Sequence, residues 1–170
     1  MKDTLISRRE FLKDIGMIGA GVLLSASPWL SAFSEVVETS GEKCRLAIIG
    51  PGSRGRFLMS FLVQNPKVEI VALCDIYQPS IEKALELAPK AKVYDDYREI
   101  LEDKTVDAVL VATPLNSHCQ IVLDAFDAGK HVFCEKSIGF TMEECFRIYN
   151  KHISTEKVFF TGQQRLFDPR

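Results

Sequence analysis

The sequence predicts an α/β domain built on a doubly wound parallel sheet of strand order 3-2-1-4-5-6. Three observations predict it. From Cys44 onward, short apolar runs of strand length alternate with segments of helical period. The runs are apolar throughout, as in strands covered by helices on both faces. The six strands fall into two halves, with right-handed crossovers and a crevice at the carboxyl ends of strands one and four.

The elements follow in order. Residues 46–49 (LAII) form the first strand and lead into Gly50-Pro51-Gly52-Ser53-Arg54-Gly55. Phe57, Leu58, Phe61 and Leu62 continue at helical spacing, and the second strand, 70–73, ends in Asp75. Ile81, Ala84, Leu85 and Ala88 mark a second helix, closed by Pro89. Residues 92–94 make a short third strand, with Asp95 or Asp96 capping a helix over 97–101. The fourth strand is 106–112 (VDAVLVA), broken by Thr113-Pro114, and the next helix covers 116–128 and stops at Gly129. Strand five is 131–135. A helix from 141 to about 152 carries Met142, Cys145, Phe146 and Tyr149 on one face, and strand six is 158–161.

Chemistry concentrates first between Leu46 and Asp75. Gly50 to Gly55 fits G-x-G-x-x-G between a strand and a helix, and Asp75 stands twenty positions beyond Gly55. Gly50 turns the chain out of the strand, Gly52 lets a pyrophosphate approach the backbone, and Gly55 lets the helix pack on the strand. The free N–H groups and positive dipole end of that helix attract phosphates. Asp75 accepts from the adenosine ribose hydroxyls. Gly50, Gly52, Ser53, Arg54, Gly55 and Asp75 therefore form the near half of a dinucleotide site. An acid at position 75 repels a 2′-phosphate, so NAD is expected over NADP. Arg54 and Arg56 are the loop cations that a 2′-phosphate could recruit.

Composition excludes several classes. A net charge of −2, with no basic run interleaved with aromatics, gives no footprint for nucleic acid. Five cysteines with no C-x-x-C pair indicate neither a zinc site nor a disulfide framework. Cys74 and Cys134 fall inside strands, as small apolar groups. At the N-terminus, Ser7-Arg8-Arg9-Glu10-Phe11-Leu12-Lys13 precedes an apolar run to Leu30 and small residues near Ala32 and Ser34. That is the pattern of a twin-arginine export signal, so residues 1–34 are read as a signal peptide and the chain as periplasmic or exported. Residues 35–43 form a polar link, and 44–170 the dinucleotide-binding domain.

A second cluster follows strands four and five: Thr113-Pro114-Leu115-Asn116-Ser117-His118, then Glu135-Lys136. Both segments project toward the crevice that the glycine loop faces. The series G-P-G-S-R-G, V-A-L-C-D, A-T-P-L-N-S-H, A-G-K-H-V-F-C-E-K and G-Q-Q-R-L-F-D-P, running from Cys44 to Arg170, resembles the Gfo/Idh/MocA oxidoreductases. The resemblance implies a Rossmann domain with NAD or NADP along the sheet, and a sugar or cyclitol as substrate. It places Thr113, Pro114 and Asn116 near the nicotinamide half, His118 and Glu135 near the nicotinamide ribose, and Lys136 as the catalytic residue facing substrate. Several members are exported by the twin-arginine route.

Two departures from that pattern are visible. The family usually reads Glu-Lys-Pro where this chain has Glu135-Lys136-Ser137. A cis bond before serine costs about 2.5–4 kcal/mol, so a trans turn is expected. Family members also continue into an α/β substrate domain, which the 170 residues do not reach, and a catalytically incomplete chain is expected. Three functions remain open at this point. They are the cofactor domain of a sugar or cyclitol dehydrogenase, an NAD-dependent glycosidase of the same family, and a nucleotide-binding fragment without chemistry of its own.

Overall fold

The computed structural model describes residues 43–163. The export motif, most of the polar link and the end of the G-Q-Q-R-L-F-D-P segment lie outside these residues. Six strands form one parallel sheet: β1 (Cys44–Ile49), β2 (Val68–Cys74), β3 (Lys92–Tyr94), β4 (Ala108–Val111), β5 (His131–Cys134) and β6 (Phe159–Thr161). Their order is β3-β2-β1-β4-β5-β6. Five helices connect them: α1 (Ser53–Leu62), α2 (Gln78–Leu85), α3 (Tyr97–Glu102), α4 (Leu115–Asp127) and α5 (Met142–Ile153).

The two-residue period of the strands divides the core into two layers. Leu46, Ile48, Leu73, Leu110 and Phe133 pack with Leu58, Met59 and Leu62 of α1 and Ile81 and Ala84 of α2. Their neighbours Ala47, Ile49, Ala72, Val109, Val111 and Val132 pack on the other side. There they meet Ile100 of α3, Ile121, Val122, Ala125 and Phe126 of α4, and Ile148 of α5. This is why the central runs read as apolar without alternation: both faces of β1, β4 and β5 are buried.

Local signals fix the element ends. Asp96 caps α3 by accepting from the Arg98 N–H. Thr141 and Glu144 form a capping box at the start of α5. Gly129, at φ +71°, ends the α4 segment. The fold decides where the face read on α5 points. Met142, Phe146 and Tyr149 are exposed, at 69%, 59% and 52%, and Ile148 alone of this helix is fully buried. Helical period shows that apolar residues share a stripe, but packing decides where the stripe points.

Register positions the chemistry. Ile49 pairs with Cys74 and with Val111, Val111 with Cys134, and Cys134 with Thr161. Five strands therefore end in one row, and the ladder continues one rung further. Gly50 N–H donates to Cys74 O (2.8 Å), Ala112 to Ile49 O (2.9 Å), Glu135 to Val111 O (2.9 Å) and Gly162 to Cys134 O (2.8 Å). The residues that begin the crevice loops are held as firmly as strand residues.

Candidate functional site

Each glycine of the first loop has a distinct environment. Gly50 has φ +86°, and a Cβ there would lie 2.7 Å from Thr113 N and 2.8 Å from Ala112 C. The turn out of β1 is thus pressed against the end of β4. A Cβ on Gly55 would lie 2.5 Å from Gly50 O. At Gly52 nothing lies within 4 Å of that position. The backbone at Gly52 is open, and it is the N-cap of α1, a helix with no side-chain cap and no acid in its first turn. The orphan N–H groups of a helix start so arranged favour an anion.

Asp75 follows β2 directly. Its Oδ1 accepts from the Tyr77 N–H at 2.9 Å, which fixes the carboxylate at the strand end. Next to it, Ile76 is fully exposed and Tyr77 is 63% exposed. The thiols before Asp75 and Glu135 take no part in chemistry. Burial pushes Cys74 up to about 11, with nearby carboxylates adding to it, and pushes Cys134 up to about 12. Both stay protonated and serve as core.

The far half closes on the near half through a charge pair. Arg54 Nε donates to Glu135 Oε1 at 2.8 Å, from the first turn of α1 to the end of β5. Since β4 lies between β1 and β5, this pair spans the switch point of the sheet. The Glu135 carboxylate is buried. Its Oε2 accepts from the Lys136 N–H at 3.2 Å. Gly162 backs it so closely that a Cβ there would sit 2.9 Å from the Glu135 Cδ. Arg54 also places its guanidinium 5.1 Å from the Phe57 ring centre. Arg56 is turned back on its own loop, donating to Pro51 O at 2.7 Å.

Thr113, Pro114 and Asn116 open α4 at the same edge. Pro114 is the N-cap, and both it and Asn116 are exposed. Ser117 donates its hydroxyl to Thr113 Oγ1 and Pro114 O, each 2.8 Å away. His118 is 1% exposed, with Nδ1 2.7 Å from Ser137 O and Nε2 2.9 Å from Thr113 O. Where the resemblance sets His118 beside a ribose, the fold commits both ring nitrogens to backbone carbonyls. Lys136 is exposed at the rim. The Lys136–Ser137 bond is cis, not trans as the missing proline suggested. Contacts on both sides of it, from Glu135 Oε2 and from His118, shape this turn without proline.

Spacing within the sequence found the loop and Asp75. It did not find Gly162 as the back wall of Glu135, Ser117 as the partner of Thr113, or the pairing of Arg54 with Glu135. The available signal for Gly162 was its place immediately after strand six, one rung beyond the ladder.

The architecture and the loop are those of a known domain. The family model described as "Oxidoreductase family, NAD-binding Rossmann fold" (GFO_IDH_MocA) matches residues 44–163. The chain belongs to the Gfo/Idh/MocA oxidoreductase family. Among solved members, it superposes on the myo-inositol dehydrogenase of Lactobacillus casei in complex with NAD(H) and myo-inositol. The TM-score is 0.71 at 33% identity, over 75% of this chain and 38% of that one. A glycosyl hydrolase family 109 protein of Stenotrophomonas maltophilia is 34% identical over 88% of this chain and 34% of its own length. An alpha-N-acetylgalactosaminidase of Shewanella oneidensis is 31% identical over 89% of this chain and 38% of its own. The chain thus spans little more than a third of these relatives. As a Gfo/Idh/MocA Rossmann domain, it has NAD as its cofactor, and its residues fit that group. Gly52 is open before an uncapped helix start, and Asp75 stands at the end of the next strand.

Proposed function

We propose that this domain is the cofactor half of an NAD-dependent oxidoreductase acting on a sugar or cyclitol hydroxyl. The observation that carries the reading is the open backbone at Gly52, ahead of the uncapped α1, in line with the row of strand ends from Asp75 to Glu135. The N–H groups of the first turn of α1 hold the pyrophosphate, and Asp75 holds the adenosine ribose. Thr113, Asn116 and the Arg54–Glu135 pair border the nicotinamide half. Bound NAD supplies the hydride acceptor. Lys136, at the rim, takes the proton of the reacting hydroxyl or returns it.

Catalysis needs more than these residues supply. Hydride transfer requires the carbinol carbon to be held against the ring, and the chain spans little more than a third of the relatives it matches. The 170-residue chain is therefore expected to bind NAD⁺ and to turn nothing over. Calorimetry with NAD⁺ and an NADH-formation assay against a panel of sugars and inositols check both halves. Sustained turnover on any of them would make the chain a minimal dehydrogenase and overturn the incompleteness.

The resemblance to family 109 relatives supports a second reading, redox-assisted cleavage of a glycosidic bond. The same residues would hold the cofactor, but the net reaction would leave NADH unchanged. In the completed enzyme, glycoside hydrolysis without net NADH formation would favour this reading; stoichiometric NADH would favour dehydrogenation.

Export is the other part of the proposal. The Ser7–Lys13 motif is read as a twin-arginine signal, a route that passes folded proteins. That suits a domain that must take up a cytoplasmic cofactor before leaving. It also suits the described cysteines, of which Cys44, Cys74, Cys119 and Cys134 are buried and free. Replacing Arg8 and Arg9 together by lysine is expected to abolish export, read by fractionation and immunoblot. Undiminished protein outside the cytoplasm would show that the signal is misread.

A further inference from the structure

We propose that His118 is the positioning residue that aims Lys136. The proposal rests on the role given above to Lys136 and goes beyond it, because no side-chain contact of Lys136 itself is needed to see the device. Lys136 sits on a short segment between β5 and α5. At its first end the segment is fixed by the ladder bond from Glu135 N–H to Val111 O. At its last end Phe140 N–H donates to Glu144 Oε2 at 2.6 Å, in the first turn of α5. In between, the backbone acceptor gripped from outside the segment is Ser137 O, and the group that grips it is His118 Nδ1 at 2.7 Å.

The other nitrogen ties the same ring to the near half of the crevice. His118 Nε2 lies 2.9 Å from Thr113 O, and Thr113 is the residue against which the Gly50 turn is pressed. The contacts form a closed circuit. It runs from the glycine loop through Thr113, His118 and Ser137 to Lys136 and Glu135, then back to the loop through Arg54. A lysine in the middle of such a circuit has its Cα fixed relative to the cofactor loop, while its long side chain stays free to meet substrate.

The chemistry of the ring divides the two contacts. Carbonyl oxygens only accept, and a neutral imidazole has one N–H, so the neutral ring serves one carbonyl and the imidazolium serves both. In the proposed device the single N–H of the neutral ring sits on Nδ1, the nitrogen that faces Ser137 O. Burial of the ring makes the arrangement costly to lose, because a buried imidazole deprived of its carbonyl partners has no water to replace them.

Amide side chains separate the two contacts experimentally. An asparagine amide nitrogen falls near the position of Nδ1, and a glutamine amide nitrogen near that of Nε2. The full chain, labelled with ¹⁵N and ¹³C, is compared with His118→Phe, His118→Asn and His118→Gln. The readouts are the Lys136 and Ser137 amide signals, without and with saturating NAD⁺. His118→Phe is expected to shift both signals and to erase their response to NAD⁺. NAD⁺ is held at saturation for each variant, so that the signals report positioning and not occupancy. His118→Asn should restore the wild-type signals and His118→Gln should not. Unchanged Lys136 signals in His118→Phe, or equal behaviour of the two amide variants, would overturn the proposal. A wild-type chain that does not respond to NAD⁺ at all would instead sink the cofactor reading, while the signals without NAD⁺ still decide the positioning role. If His118→Phe does not fold, the wild-type ring decides. Coupling across the hydrogen bond from Nδ1–H to the Ser137 carbonyl carbon supports the proposal, and its absence overturns it.

Discussion

Replacing Gly55 by alanine is expected to cost both stability and cofactor binding, whereas the same change at Gly52 costs binding alone. The added Cβ at position 55 would lie 2.5 Å from Gly50 O and 3.3 Å from Gly50 C. Those atoms are backbone, not the flexible end of a side chain, so the turn itself must move. Moving it strains the rung from Gly50 N–H to Cys74 O and the contact of Gly50 with Thr113. Overpacking of this kind costs about 1–3 kcal/mol, or roughly 5–15 °C of melting temperature for a domain of this size. NAD⁺ affinity should fall at least about tenfold, since the N–H groups of α1 no longer point as they did. At Gly52 the space is open, so a methyl group meets no protein atom and melting should stay within about 1 °C, in the range of a surface substitution. It stands, however, where the pyrophosphate must approach the backbone. Thermal unfolding by circular dichroism, paired with calorimetric titration of NAD⁺, separates the two. Equal effects of the two variants on melting would contradict these separate roles for the glycines.

The second large effect is expected at Asp75. In the proposed site its carboxylate would accept from the ribose hydroxyls, and hydrogen bonds to a charged group contribute about 1.5–3 kcal/mol. Asp75→Ala should therefore weaken NAD⁺ about 10- to 150-fold. The same change should bring NADP⁺ up toward NAD⁺, because the repulsion of the 2′-phosphate disappears. The two loop arginines are not positioned to reverse this order. Arg54 is paired with Glu135 at the end of β5, three strands away from β2, and Arg56 is bonded to Pro51 O. Calorimetry with both cofactors on both proteins is the measurement. A wild-type preference for NADP⁺, or an unaltered preference in Asp75→Ala, would remove Asp75 from this role.

The sequence by itself determined what depends on neighbours in the chain. Strand runs, helical periods and caps are set by residues within about one turn or one rung of each other. So Lys92–Tyr94 was legible as a strand, Asp96 as a cap, and Gly129 as a stop. The cofactor loop was legible for the same reason. Gly50, Gly52 and Gly55 sit within six residues, and each meets a different environment: a pressed turn, open space and a close backbone contact. Asp75 needed only the length of one helix and one strand.

Tertiary structure decided whatever depended on which strands lie side by side and where they end. Arg54 and Glu135 are 81 residues apart, and they meet because the order places β4 alone between β1 and β5 and the register ends those strands in one row. Gly162 backs Glu135 through the next rung of that row. His118 read with the crevice cluster because its segment follows strand four. Packing between α4 and the Lys136 segment buried it and gave both its nitrogens to backbone carbonyls. The apolar stripe of α5 was legible as one face, but period is blind to direction. With β6 at the edge of the sheet, only Ile148 reaches the layer beneath, and Met142, Phe146 and Tyr149 face out.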